Sequence, residues 1–167
     1  LRDLGSLQRA LTEAKPDEVY NLAAQSDVGI SFKIPEETME INYYGLSRLI
    51  LEAVKVNRAV RIYQASTSEM FGRTNPPQNE KSIFDPVSPY AEAKLMAYKD
   101  FVKGYREQYG YFIASGILFN HESPRRGEHF VTRKITVSLA KIKLGLQKSF
   151  SLGNLEARRD WGYAGDY

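Results

Sequence analysis

Cysteine is absent from the 167 residues. Disulfides and thiolate metal sites are therefore excluded, and a reducing compartment, the cytoplasm, is the expected setting. Histidine occurs only as His121 and His129, with no carboxylate at a ligand spacing, so no metal centre is expected. Long apolar runs are missing: none approaches the roughly 20 residues of a membrane span, so no membrane partner is expected. The opening Leu1-Arg2-Asp3-Leu4 has no basic-then-apolar leader pattern. A strong charge of one sign is also lacking, and a net +3 is too weak to argue for nucleic acid. No repeat and no low-complexity tract interrupts the chain.

What is present is the balance of a globular protein, with 43% hydrophobic and 26% charged residues, at a length suited to one ordinary domain. The charge is unevenly spread. Residues 121–159 hold nine Lys or Arg against three Glu, a balance of +6 that leaves −3 for the rest. Such a basic quarter suits an anionic ligand, and equally a solvated basic face.

Strand-like and helix-like segments alternate, the pattern of a parallel α/β sheet. Leu7, Ala10, Leu11 and Ala14 predict a helix over 6–14 capped by Ser6. Strands are predicted at 18–22, 60–65 and 112–119. Helices are predicted at 35–57, opened by Pro35, at 89–110, capped by Ser88, and at about 130–144. A short strand is expected at 149–152, with an irregular polar loop around Pro76-Pro77 and Asp85-Pro86 and another at 121–127. Three strands joined by helices give a doubly wound sheet, whose ligands lie beyond the carboxyl ends of its strands. That rule selects residues 22–26, 65–69 and 120–126.

Tyr90 and Lys94 are four apart at the start of a predicted helix and share one face. An ammonium beside a phenol favours the phenolate, which can then act as a base near neutrality. Taken alone, Tyr-x-x-x-Lys also describes an ordinary surface pair. Ser66-Thr67-Ser68-Glu69 follows a strand; its hydroxyls suit a substrate oxygen and its carboxylate a proton, or the cluster merely caps a turn. The adjacent Arg125 and Arg126 suit a phosphate, or an exposed basic loop.

Together and in order, several strings resemble the extended short-chain dehydrogenase/reductase superfamily and, within it, the GDP-mannose 4,6-dehydratase family. They are Tyr20-Asn21-Leu22-Ala23-Ala24-Gln25-Ser26, Gln64-Ala65-Ser66-Thr67-Ser68-Glu69 and Ser88-Pro89-Tyr90-Ala91 with Lys94. Asn120-His121-Glu122-Ser123-Pro124-Arg125-Arg126-Gly127 and Arg159-Asp160-Trp161-Gly162 complete them. The resemblance implies a Rossmann-like doubly wound sheet over 1–119 and the start of a sugar-nucleotide domain over 120–167. It implies NADP as cofactor, GDP-mannose as substrate, and a homodimer or homotetramer paired through helices 35–57 and 89–110. Tyr43, Tyr98 and Phe101 are expected in that interface.

By the same resemblance Tyr90 takes the O4 proton, Lys94 holds the ribose and lowers the tyrosine pKa, Thr67 bonds O4, and Glu69 takes the C5 proton. Leu22, Ala23, Ala24, Gln25, Ser26, His121 and Arg126 would touch the cofactor. Ser68, Asn120, Lys134 and Arg159 would touch the substrate. No Gly-x-Gly-x-x-Gly occurs, although the family carries one. The expectation is therefore the central part of a protein roughly twice this length, binding NADP weakly and inactive by itself. Glu37 and Asn42-Tyr43-Tyr44 depart from the family pattern along one helix. Competing readings are an epimerase or reductase of the same superfamily, which needs no carboxylate at Glu69, and a non-catalytic remnant.

Overall fold

Capping chemistry decides where the helices begin, and the first begins earlier than predicted. In the computed structural model, which describes residues 1–167, helix α1 spans Leu4–Ala14. Its cap is Asp3 rather than Ser6. The Asp3 carboxylate accepts from the Ser6 backbone N–H at 3.1 Å and from the Ser6 hydroxyl at 2.6 Å. Aspartate caps as well as serine, and here it stands one turn ahead of it. Two short elements follow: strand β1, Glu18–Asn21, and helix α2, Val28–Ser31.

The two long predicted helices form, each in three pieces. The first is α3, Pro35–Met39, then a π-helical turn Glu40–Tyr44, then α4, Gly45–Val56. Strand β2, Arg61–Ala65, and a 3₁₀ turn, Ser68–Phe71, separate it from the second. The second is α5, Pro89–Ala97, a π-helical turn Tyr98–Lys103, and α6, Gly104–Tyr109. As predicted, Ser88 caps α5 by accepting from the Ala91 N–H at 3.1 Å, with Pro89 opening the first turn. Strand β3 is Ile113–Gly116, shorter than predicted.

The chain divides into two compact units, Leu1–Leu118 and Phe119–Tyr167. In the first, β1, β2 and β3 form a parallel sheet in that order, with Val19 beside Ile62 and Ile62 beside Ile113. Side chains alternate across it. Val19, Ile62 and Ile113 point into a core with Leu46, Leu49, Ile50, Ala53, Phe101 and Val102 of the long helices. The opposite face carries Tyr20, Tyr63, Phe112 and Ala114 around a shallow open cavity, and Tyr20 is 65% exposed. This parallel α/β sheet is the predicted fold class.

The aromatics assigned to an interface have partners inside the chain. Phe101 is buried in the core, Tyr43 lies 4.6 Å from it centroid to centroid, and Tyr98 meets Phe84 edge-on at 5.7 Å. The Tyr43 hydroxyl donates to Asp100 at 2.9 Å, and burial together with that carboxylate pushes its pKa up to about 12.

In the second unit, strand β4, Asn120–Glu122, pairs in parallel with β5, Trp161–Tyr163. Helix α7 covers Val131–Lys143 and a short 3₁₀ turn, Ala164–Asp166, follows β5. The predicted strand at 149–152 is not formed, and the predicted loop at 121–127 begins inside β4. Asn-His-Glu has no apolar alternation, so its pairing rests on a partner about forty residues away that local pattern does not reveal. No helix is long and apolar enough to cross a membrane.

Two neighbours on α4 check this core. Ile50 is fully buried, whereas Leu51 is 40% exposed. Ile50→Ala is expected to cost about 2–5 kcal/mol in chemical denaturation, and Leu51→Ala below about 1 kcal/mol.

Candidate active site

The carboxyl end of β2 continues into the Ser-Thr-Ser-Glu string, and β3 holds it there. Beyond the strand, the Ser66 N–H donates to the Gly116 carbonyl and the Ser68 N–H to the Leu118 carbonyl, each at 2.8 Å. Thr67 caps the 3₁₀ turn, its hydroxyl oxygen accepting from the Glu69 N–H at 3.2 Å. That contact uses the oxygen and leaves the hydroxyl proton to be donated. The two readings of the cluster, turn cap and substrate contact, are thus compatible. Thr67 is buried, while Ser68 and Glu69 are half-buried. Gly72 closes the turn at φ +53°, where a Cβ would stand 1.7 Å from the Asp85 carbonyl oxygen, so only glycine fits.

Helix α5 packs against this turn and supplies the second half of the site. Tyr90 and Lys94 are both buried, which removes the surface-pair reading. The Lys94 ammonium donates to the Ala65 carbonyl at 2.9 Å, at the last residue of β2. Burial alone lowers its pKa from the usual value to about 8. The structure therefore gathers Thr67, Glu69, Tyr90 and Lys94 around the end of one strand.

The loop after β1 is built by Asn42 and Gln25. Asn42, on the π-helical turn, accepts from the Gln25 N–H at 3.0 Å and donates to the Gln25 carbonyl at 2.9 Å. The Gln25 side chain turns inward, donating to Thr38 Oγ1 at 3.1 Å and to the Asp27 carbonyl at 3.0 Å, and accepting from the Asp27 N–H at 2.6 Å. Gln25 therefore shapes the loop. Leu22, Ala23 and Ser26 are exposed and Ala24 is half-buried. Of the departures along this helix, Asn42 is the loop's anchor and Glu37 pairs with Arg2 at 2.8 Å.

In the second unit, β4 places Asn120 beside Trp161, with the Asn120 N–H donating to the Asp160 carbonyl at 3.2 Å, next to Arg159. His121 meets the Phe119 carbonyl through Nδ1 at 2.8 Å and the Tyr167 ring edge-on, while its buried Nε2 has no partner. Arg126 lies with its guanidinium 3.7 Å over the Phe130 ring and its Nε 3.4 Å from Glu122, which also accepts from the Thr132 hydroxyl. Lys134 is turned to the Ser151 carbonyl at 2.6 Å, and Arg159 to the Arg158 carbonyl at 2.7 Å. Lys134 and Arg159 are exposed, and no hydrogen bond joins them. An open cavity of about 450 Å³ is lined by Glu122, Thr132, Arg133, Trp161 and Tyr163.

A family model described as GDP-mannose 4,6 dehydratase matches residues 1–167, the whole chain. The chain belongs to that family. It is 56% identical over 172 residues to GDP-mannose 4,6 dehydratase 1 of Arabidopsis thaliana, covering all of this chain and 47% of that protein. It is 53% identical over 171 residues to GDP-mannose 4,6 dehydratase of Homo sapiens, covering all of this chain and 45% of that protein. The chain thus spans about half the length of the curated relatives it matches. Among solved structures, RMD from Pseudomonas aeruginosa complexed with NADPH superposes with a TM-score of 0.90 at 27% identity, covering 99% of this chain and 56% of that one. DesIV (dTDP-glucose 4,6-dehydratase) from Streptomyces venezuelae, with NAD and TYD bound, gives 0.83 at 25% identity, covering 99% and 49%.

Sequence reasoning missed Asn42 as a loop anchor, Glu122 and Phe130 as the partners of Arg126, and the Ala65 carbonyl as the seat of Lys94. A backbone carbonyl leaves no trace in residue identity.

Lys94 gives the site a pH signature. Its folded pKa lies below its unfolded value, so between about 8 and 10.5 the unfolded chain binds the extra proton. Stability attributable to Lys94 is therefore lowest below pH 8 and rises through that window, by roughly 3 kcal/mol in all. Denaturation of the protein and of Lys94→Met across pH 7–10.5 should show the rise only in the former.

Proposed function

We propose that the protein serves the NADP-dependent conversion of GDP-mannose to GDP-4-keto-6-deoxymannose, a lyase reaction. The observation that carries this reading is the seating of Lys94 on the Ala65 carbonyl, one helical turn from Tyr90 and directly before Ser66-Thr67-Ser68-Glu69. The relatives named above, matched over the whole of this chain, are named as GDP-mannose 4,6 dehydratases, which supports the reading. Glu69 favours dehydration over an epimerase or reductase, because elimination across C5 and C6 needs a carboxylate and a simple C4 exchange does not.

The residues present fit a dinucleotide. The loop after β1 exposes Leu22, Ala23 and Ser26, Lys94 keeps two ammonium protons beyond the one given to Ala65, and His121 Nε2 is buried without a partner. Leu22, Ala23, Ala24, Gln25, Ser26, Tyr90, Lys94, His121 and Arg126 would hold NADP. When bound, it supplies the acceptance of a hydride from the sugar and its return.

The chain's own groups move the protons. Tyr90 Oη takes the proton of the O4 hydroxyl, and the adjacent Lys94 ammonium stabilises the phenolate that performs this. Thr67 donates its free hydroxyl proton to O4. Glu69 takes the proton from C5 and delivers one to the departing 6-hydroxyl, which leaves as water. Ser68, Asn120, Lys134 and Arg159 bind the sugar nucleotide, the last three through its charged part.

The working form of the full-length protein is a homodimer or homotetramer in the cytoplasm, with exposed Tyr44 on the π-helical turn before α4, Leu51 on α4 and Met96 on α5 available for pairing. Sedimentation of the full-length protein as a strict monomer would refute that assembly.

Two variants separate the steps. In the full-length enzyme, Tyr90→Phe should lower turnover of GDP-mannose by roughly 10²–10⁴. Glu69→Gln should stop release of 4-keto-6-deoxy product and abolish deuterium incorporation at C5 from D₂O, read by mass spectrometry. Wild-type product release from Glu69→Gln would leave the glutamate a turn residue and remove the dehydratase reading.

A further inference from the structure

Two buried amides beneath the site are used by none of the steps above. Asn21 ends β1 and Gln64 stands beside it on β2, both pointing into the covered side of the sheet. The Gln64 side chain donates from Nε2 to the Ala65 carbonyl at 2.6 Å, the same oxygen that accepts from Lys94 at 2.9 Å. Asn21 Nδ2 donates to Gln64 Oε1 at 2.6 Å, and Asn21 Oδ1 accepts from the Ala23 N–H at 3.3 Å.

The direction of this chain is forced. A carbonyl only accepts, so the end of Gln64 that meets Ala65 must be its NH₂. Its oxygen then faces Asn21, which must answer with its own NH₂. The remaining Asn21 oxygen meets a backbone N–H, which only donates. Neither amide can flip without setting oxygen against oxygen or NH₂ against N–H in a buried place. Bonds aligned this way polarise one another.

We infer that Asn21 and Gln64 are positioning residues, one directed hydrogen-bond chain that fixes the seat of Lys94 and ties it to the loop at residues 22–26. The inference rests on the reading of Lys94 and that loop given under the proposed function. Ala65 has two lone pairs, and Gln64 occupies one of them, which leaves Lys94 a single acceptor on that oxygen. The loop end of the chain is the Ala23 N–H, so a ligand that displaces residues 22–26 pulls on the same series of bonds that ends at the lysine.

Other ionisable groups on the elements packed against α5 are accounted for. Glu37 is held by Arg2, Glu40 by Arg48, and Tyr43 by Asp100, and α2 has no titratable side chain. Glu36, Tyr44, Glu92, Lys99 and Lys103 are exposed, and Tyr98 is half-buried edge-on against Phe84. Tyr90 on the same helix and Glu69 on the packed turn are the remaining ionisable groups of the site.

The test follows Lys94 itself and needs no turnover. In the isotopically labelled protein, the Lys94 13Cε signal and the side-chain NH₂ signals of Gln64 and Asn21 are recorded from pH 6 to 10. All three are expected to move with one midpoint, near 8. In Asn21→Ala, which does not touch Lys94, Gln64 loses the donor that holds and polarises it, its bond to the Ala65 carbonyl weakens, and that oxygen is left more fully to the ammonium. The Lys94 midpoint should then rise by about one unit, a tenfold change in its proton equilibrium. An Asn21 amide that stays flat while Lys94 titrates overturns the inference in the wild-type protein, whether or not the variant folds. A folded Asn21→Ala with an unmoved Lys94 midpoint overturns it as well. Failure of the full-length protein to convert GDP-mannose would strike the proposed function and leave these titrations readable.

Discussion

A single buried ammonium governs the arrangement of the first unit. Removing a charge from water is costly unless polar groups replace the lost hydration, and Lys94 finds one protein acceptor, the carbonyl at the end of β2. That contact exists only because several independent features agree. Ser88 and Pro89 start α5 so that the second turn reaches the strand end. The parallel register brings β1 and β3 to the same level as β2. The core residues of the long helices hold α5 against the sheet. The lowered pKa is the physical trace of this agreement, and the partners expected of a base site, Tyr90, Thr67 and Glu69, stand on the two elements that create it.

The second unit handles charge in a different way. It carries the excess of basic residues, yet its half-buried arginine has its charge met internally: Arg126 lies on the Phe130 ring and beside the Glu122 carboxylate, which Thr132 also engages. Cation–π stacking of this kind holds a guanidinium in a fixed orientation while its outer nitrogens stay available. Lys134 and Arg159 rest on backbone carbonyls, contacts that a stronger anionic partner would replace.

Much of this was legible in the residues. Ser88-Pro89 announced α5, Gly110 its end, and the alternation of apolar strands with periodic helices announced the parallel sheet. The candidate site at the end of β2 followed from that topology together with the Ser-Thr-Ser-Glu and Tyr-x-x-x-Lys strings. Other features were hidden for reasons that can be named. Asp3 and Ser6 are both good caps, and only the chain path chooses between them. The β4–β5 pair joins polar or aromatic tripeptides far apart in sequence, with no periodicity to betray it. Tyr43 and Phe101 were expected in an interface because their contact joins residues more than fifty apart in sequence, on two different helices. The Asn21–Gln64 pair depends on strand register, which composition does not encode.

The π-helical turns carry one more consequence. Each of the two long helices closes such a turn with a bond across five residues, Gly45 N–H to the Glu40 carbonyl and Gly104 N–H to the Lys99 carbonyl. The extra residue breaks the phase between the two halves of the helix. In the first, Thr38 and Asn42 address the loop after β1, while Leu46, Ile50 and Ala53 address the sheet. A regular helix turns by about 100° at each residue, whereas the wider turn over 40–44 takes up one residue and lets both halves keep their facing. The apolar spacing on one side of this stretch is therefore displaced by one position on the other. An alignment that carries a strict helical period across it would pair residues that serve opposite faces.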